Sequence, residues 1–407
     1  MWEGRSAGER DWTLHPHNTE AMSGRCVVKI QGLFAKALAP KINEWPSLRR
    51  RSFLHHAPSA RGNPRSAGVH SMKVAIVGAT GAVGVEFLQV LERRQFPVTE
   101  LVLLASKRSA GTTMEFKGKT YTVSELTKDS FSGCQLALFS AGASISRAFR
   151  DACVNSGCLM VDNSSAFRME DGVPLVVPEI NPHEARKALQ KNGGKGVIAN
   201  PNCTTIIALM ALAPLHREAG IKRLVAATYQ AASGAGHAAM EELKDSTRAW
   251  LDGKSFEPKV LPHPYAFNLF PHNSAMTDNG YCEEEVKLLK ESRKILADDT
   301  LRITGTCVRV PVLRTHAEAL NVEFKKSLTV ERAYEILKQA PGVTVLEDRA
   351  KNRWAMPIDV AGKDNVYVGR IRKDLSQENT LELWVVGDQL LKGAALNAVQ
   401  CAEVAFK

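Results

Sequence analysis

Lys73-Val74-Ala75-Ile76-Val77 runs straight into Gly78-Ala79-Thr80-Gly81-Ala82-Val83-Gly84. The first five residues form a short, apolar, β-rich strand. The glycines predict a sharp turn. Val85 to Arg94 then reads as a helix, with Val83, Phe87, Val90 and Leu91 on one face. Strand, glycine turn and helix together predict a dinucleotide site, where free N–H groups and the helix dipole favour a pyrophosphate. The spacing is G-x-x-G-x-x-G rather than G-x-G-x-x-G. Gly78, Thr80, Gly81, Ala82, Val83 and Gly84 are the candidate cofactor contacts.

The next strand, Glu100 to Ala105, leads into Ser106-Lys107-Arg108-Ser109. An NAD site places an acidic residue near here for the ribose 2′-hydroxyl. This chain offers hydroxyls and cations instead, which suits a 2′-phosphate. Arg108 and Ser109 therefore predict NADP. Further strands are expected at Leu136–Ser140, Leu159–Asp162, Leu175–Val177 and Val197–Ala199, with helices at Ser146–Ser156 and Glu184–Lys191. Such alternation implies a parallel sheet with crossover helices, an α/β fold of Rossmann type.

Charge and composition narrow the function. The chain has 407 residues, room for two or three domains at about 150 residues each. The net charge is +10, but residues 1–71 hold eleven Lys/Arg against five Asp/Glu, which is most of the excess. A basic nucleic-acid binder is therefore disfavoured for residues 72–407, which show no aromatic-basic interleaving. The longest apolar run, Ile206 to Leu215, is ten residues. A membrane span needs about 20, so no membrane partner is expected. Residues 1–71 lack a sustained period and carry Arg49-Arg50-Arg51. They are expected to be disordered, either a plastid transit segment or an over-extended start with Met72 as the true first residue; the latter implies a cytoplasmic enzyme. Val27 to Leu38 could form a short amphipathic helix there.

The most informative stretch is Asn200-Pro201-Asn202-Cys203-Thr204-Thr205. A strand ends in a polar turn, and Cys203 starts a helix running towards Leu215. A helix N-terminus raises the thiolate fraction of a cysteine. Among eight cysteines, Cys203 alone has this setting. The others read as buried thiols; no C-x-x-C pair or zinc spacing occurs, and no metal is expected.

Eight ordered motifs carry a resemblance. They are GATGAVG (78–84), ASKRSAG (105–111), DNSSAFR (162–168), NPNCTT (200–205), YQAASGAG (229–236), GYCEEEVK (280–287), RVPVLRTHAE (309–318) and VGDQLLKGAA (386–395). Over residues 72–407 the chain resembles the aspartate-semialdehyde dehydrogenase family, in the branch that includes plant plastid and Gram-positive forms. The resemblance implies NADPH-dependent reductive dephosphorylation of L-4-aspartyl phosphate to L-aspartate 4-semialdehyde, a step towards lysine, threonine, methionine and isoleucine. It implies Cys203 as nucleophile, Asn202 beside it and His316 as the proton-transfer group. By the same likeness Arg168 and Lys287 face the phosphate, Arg309 the α-carboxylate, Glu284 the ammonium, and Gln230 orients the substrate. Ser233, Gly234 and Gln389 resemble cofactor contacts. Read from spacing alone, Glu284 and Lys287 are an i, i+3 pair, which usually marks a solvated helix face.

The expected organisation is an NADP-binding domain over 72–201 completed by 388–407, and an α+β catalytic and dimerisation domain over 202–387. Its long strands are expected at Leu224–Gln230, Arg302–Leu313, Leu320–Phe324, Val366–Ile371 and Leu381–Val386, and one last helix at Asp388–Phe406. The resemblance implies a homodimer or dimer of dimers. Other phosphorylating aldehyde dehydrogenases, such as N-acetyl-glutamyl-phosphate reductase, share the Cys–His logic but lack the combined motifs. Intact Cys203, His316, Arg168 and Arg309 argue against a catalytically dead relative.

Overall fold

The computed structural model describes residues 72–190 and 196–407. The expectations for residues 1–71, and for Lys191 at the end of a helix, lie outside the described residues. The described residues form one compact unit.

Two sheets organise that unit. In the first, Met72–Val77 pairs in parallel with Val98–Ala105 on one side and Leu136–Phe139 on the other. Leu159–Asp162 and Val197–Ala199 extend it in parallel. The period of two divides the central strand between two cores. Val74 and Ile76 pack with Phe87 and Leu91 of helix Ala82–Arg93, and Ala75 and Val77 pack with Met160 and Ile207 on the opposite face. A sheet covered on both faces needs apolar strands throughout, and all four residues of Leu136–Phe139 and of Leu159–Asp162 are buried.

The second sheet has seven strands and is mixed. Arg302–Arg309 runs parallel to Ile221–Gln230, and His316–Phe324 runs antiparallel to it. Thr380–Gly387 and Val366–Lys373 follow, both antiparallel pairs. Helix Cys203–Ala219 leaves the first sheet and packs against the second. It is buried on nearly all sides, which explains why its apolar run shows no amphipathic period.

Three expectations are corrected. Leu175–Val177 is not a strand; it makes a single bridge, Leu175 to Ala199, because Pro174 and Pro178 bracket it and neither can donate to a ladder. The strand expected over Arg302–Leu313 ends at Arg309. Pro311 lacks an N–H, and Val310–Leu313 instead hold the loop after Gln230 through backbone bonds. The last helix is broken: Leu391–Ala395 is a wide π turn, and the α-helix proper is Leu396–Ala405. That helix packs on the first sheet beside Ala82–Arg93.

Candidate active site

Gly78 has φ +83°, and a methyl group there would lie 2.8 Å from the Ser140 carbonyl carbon. Only glycine fits both constraints. The turn so formed floors a cleft of about 470 Å³, bordered also by Thr80, Gly81, Arg108 and Ser109. The cleft combines a backbone cradle at the start of a helix with the cations Lys107 and Arg108 in its lining, and it fits a dinucleotide. Ala82 and Gly84 lie in the first turn of that helix and do not border the cleft. Ser140, at the C-terminal end of a parallel strand, borders this cleft and a second cavity of about 250 Å³.

The second cavity gathers Cys203, Asn202, Arg168, Gln230, Glu284 and Arg309, with Ser233, Gly234, Gln389 and Val83 at its edges. Asn202 caps the Cys203 helix: its Oδ1 accepts the Thr204 and Thr205 N–H groups at 3.1 and 3.4 Å. Its Nδ2 donates to Glu284 Oε1 at 2.9 Å, and Gln230 Nε2 donates to the same oxygen at 3.2 Å. Glu284 is therefore buried, not on a solvated face. Burial alone would raise its carboxyl, but Lys287, His272 and the two amides hold it down at about 2.

Lys287 reaches Glu284 Oε2 at 3.2 Å. It does not border the Cys203 cavity. It borders an adjoining cavity of about 340 Å³, with Arg168 between the two. The Arg168 guanidinium is anchored by Asn200 O at 2.9 Å, Asn163 O at 2.9 Å and Glu291 Oε1 at 3.0 Å. Glu291 Oε2 accepts the Asn202 N–H at 2.6 Å, which ties the arginine to the cap of the Cys203 helix. Sequence reasoning missed Glu291; its signal is the i, i+7 spacing from Glu284, which repeats the face after two turns.

A helix start favours a thiolate, yet here other forces outweigh it. Burial, with the nearby Glu284 charge, pushes the Cys203 thiol up to about 12, against Arg168, Arg309 and the Thr204 N–H. The resting group is thus a thiol. His316 is wholly buried and does not border the cavity. It sits behind Gly234: a methyl group there would come within 3.1 Å of the ring. Its Nδ1 accepts the Ala231 N–H at 3.0 Å, while Nε2 has no partner among the described residues. Burial, then the Arg309 charge, push its pKa down to about 3. Gln389 Oε1 accepts the Thr315 N–H at 2.8 Å and Nε2 donates to Ser233 Oγ, so it braces the His316 strand against the Gly234 loop. Arg314 bridges Glu86 and Asp388 at 2.6 and 2.7 Å and joins the dinucleotide helix to the C-terminal turn. His272 borders the cavity and was also missed, having no local motif.

A dinucleotide cradle that opens onto a helix-borne cysteine places this protein among the oxidoreductases that bind a nicotinamide dinucleotide. Residues 73–188 match the model for the semialdehyde dehydrogenase NAD binding domain, and residues 212–392 match the semialdehyde dehydrogenase dimerisation domain. Aspartate-semialdehyde dehydrogenase of Synechocystis is 55% identical over 82% of this chain and 97% of its own. The Prochlorococcus marinus enzyme is 52% identical over 82% and 95%. The crystal structure of aspartate semialdehyde dehydrogenase II from Vibrio cholerae, complexed with ASA, superposes with a TM-score of 0.80 at 42% identity, covering 83% of this chain and 98% of that one. The chain belongs to the aspartate-semialdehyde dehydrogenase family. Among the described residues, no helix is long and apolar enough to cross a membrane.

Proposed function

We propose that the enzyme converts L-4-aspartyl phosphate to L-aspartate 4-semialdehyde with NADPH, releasing phosphate through a thioester on Cys203. The observation that carries this is one cavity holding the capped Cys203, two arginines, and a carboxylate presented by two amides. The substrate needs that set: Arg168 for the phosphate, Arg309 for the α-carboxylate, and Glu284 for the ammonium. Lys287 acts on the phosphate side through the adjoining cavity. Gln230 and Asn202 orient the acyl group and the nucleophile.

The Cys203 sulfur attacks the acyl carbon. The C–S bond forms, the C–O bond to phosphate breaks, and phosphate departs with the electron pair. The two arginines lower the cost of ionising the thiol, against the negative charge of the entering phosphate, and the thiol proton leaves with phosphate. NADPH, when bound, supplies the hydride that reduces the thioester carbon. His316 accepts the Ala231 N–H at Nδ1, so its neutral ring carries the proton at Nε2. Once the Gly234 loop moves aside, that Nε2–H can donate to the oxyanion at the acyl carbon. Proton transfer through the ring requires release of the Ala231 contact. Collapse of the oxyanion breaks the C–S bond, frees the aldehyde and returns Cys203 as a thiolate, which takes a proton from solvent to restore the thiol.

NADP is preferred because Lys107, Arg108 and Ser109 border the cleft where a 2′-phosphate would lie. Gly78, Thr80 and Gly81 line that cleft, Ala82 and Gly84 shape its helix, and Val83, Ser233, Gly234 and Gln389 lie on the nicotinamide side. Glu125 borders the cleft too. Residues 72–201 with 388–407 are the proposed cofactor domain, and 202–387 the catalytic and dimerisation domain. The open face of the second sheet, with Tyr229 and Trp384 rings 5.7 Å apart, supports a homodimer or dimer of dimers. Residues 1–71 are the proposed plastid-targeting segment; a reporter carrying them that stays cytosolic would reject this. The main test is the purified enzyme with aspartate semialdehyde, phosphate and either NADP or NAD. Phosphate-dependent reduction of NADP is expected; no turnover would sink the reading.

A further inference from the structure

His316 carries the family motif, yet the histidine that borders the Cys203 cavity is His272. It follows the short strand Phe270–Pro271, whose register sets Phe270 opposite Arg309. The His272 N–H then donates to Cys307 O at 2.8 Å, which keeps it along the Arg309 strand. Its Nδ1 accepts the Ser274 N–H at 3.2 Å and lies 3.1 Å from Ser274 Oγ. That hydroxyl accepts the Glu284 backbone N–H at 3.1 Å, so its own proton is turned to Nδ1. Nδ1 is thus an acceptor on both counts, and the neutral ring bears its proton at Nε2. Burial, opposed by the Glu284 charge and assisted by Arg309 and Lys287, pushes the ring's pKa down to about 4.

Glu284 and Arg309 border the cavity beside it. On the proposed substrate, ammonium and carboxylate share one carbon, so their partners must be adjacent and opposite in kind. Arg309 already spends an Nη1 donor on Ala231 O at 3.1 Å. Its buried Nε–H has no partner among the described residues, so the Nε–Nη2 edge is left to one side of a carboxylate, and the other side of that carboxylate needs a second donor. A neutral N–H donor completes the set without adding charge next to Glu284.

We propose that His272 is a specificity-determining residue whose Nε2–H donates to the substrate α-carboxylate alongside Arg309. The inference rests on the reaction proposed above. Its test is steady-state kinetics of the full chain with L-aspartate semialdehyde and with 3-aminopropanal, which lacks the carboxylate. His272→Ala should raise the KM for aspartate semialdehyde about 10- to 100-fold, the span of one hydrogen bond to a charged group, with kcat within about threefold. The KM values for phosphate and cofactor should stay put. With 3-aminopropanal the variant should match the wild type. His272→Gln, whose amide N–H can take the place of Nε2–H, should recover most of the loss. Melting temperatures report folding; if the alanine variant unfolds, His272→Phe, which keeps volume without the donor, replaces it. An unchanged KM for aspartate semialdehyde, a loss in phosphate KM instead, or an equal loss on 3-aminopropanal overturns the proposal. A wild-type enzyme inactive on aspartate semialdehyde would instead overturn the reaction.

Discussion

Gly393→Ala should damage turnover far more than cofactor binding. Gly393 lies in the π turn, and a methyl group built there would sit 2.9 Å from Cys203 Cβ, 3.2 Å from Gln389 Cβ and 3.4 Å from Cys203 Cα. Carbon atoms pack at about 3.5–4.0 Å. Cys203 must therefore retreat by roughly 0.6–1 Å, or the π turn must shift by as much. The Cys203 helix is buried on nearly every side and has little room to move. Overpacking of this kind costs about 1–3 kcal/mol of stability. A misplacement near 1 Å in a reacting group can lower the rate about 10²-fold. Gly393 does not border the cleft of Gly78, so the affinity for the adenylate end should hold. The assay is kcat at saturating substrate, paired with cofactor titration and a melting curve. Should the variant keep kcat within about threefold while only its melting temperature falls, the reasoning fails, because the proposed role of Cys203 would then tolerate the displacement.

Three further outcomes are expected. Cys203→Ala should lose about 10⁴-fold or more in kcat while cofactor binding stays within a few-fold; residual turnover above about a percent would refute a covalent route. Arg108→Ala should weaken NADPH binding by about 1–3 kcal/mol and leave NADH kinetics unchanged, whereas equal damage to both would make the loop structural. Glu318 is fully buried with both carboxylate oxygens unpartnered among the described residues, and burial pushes its carboxyl well up. Its folded pKa exceeds the unfolded value of about 4.3, so the carboxyl costs nothing below that pH and destabilises increasingly above it. Glu318→Gln should therefore show a relative stability gain in denaturant titrations that grows between pH 5 and pH 8, by up to about 1.4 kcal/mol per pH unit until the folded pKa is reached; a pH-independent difference would show that the carboxyl is already ionised.

Much of the site was legible because its cues are local. A strand ending in Gly78 needs only the next few residues to declare a cradle, and Asn202 declares a cap by its distance of two and three residues from the N–H groups it accepts. The Leu175–Val177 strand was misread because β propensity does not register two flanking prolines. Glu284 and Lys287 read as a solvated pair because the spacing of charges along a helix says nothing about what covers it. What covers Glu284 is Asn202 and Gln230, 82 and 54 residues away.

The sequence by itself determined the class of fold, the cofactor turn, the cysteine and the order of the motifs, since each is written in periods, caps and short spacings that operate within a few residues. Only the tertiary structure decided the ionisation and company of those groups. It set Glu291 between Arg168 and the Cys203 cap, put His272 on the cavity and His316 behind Gly234, and kept the cysteine a thiol. The physical reason is that desolvation and charge–charge energy depend on what lies within a few ångströms in space, and those neighbours are supplied by segments far apart in the chain.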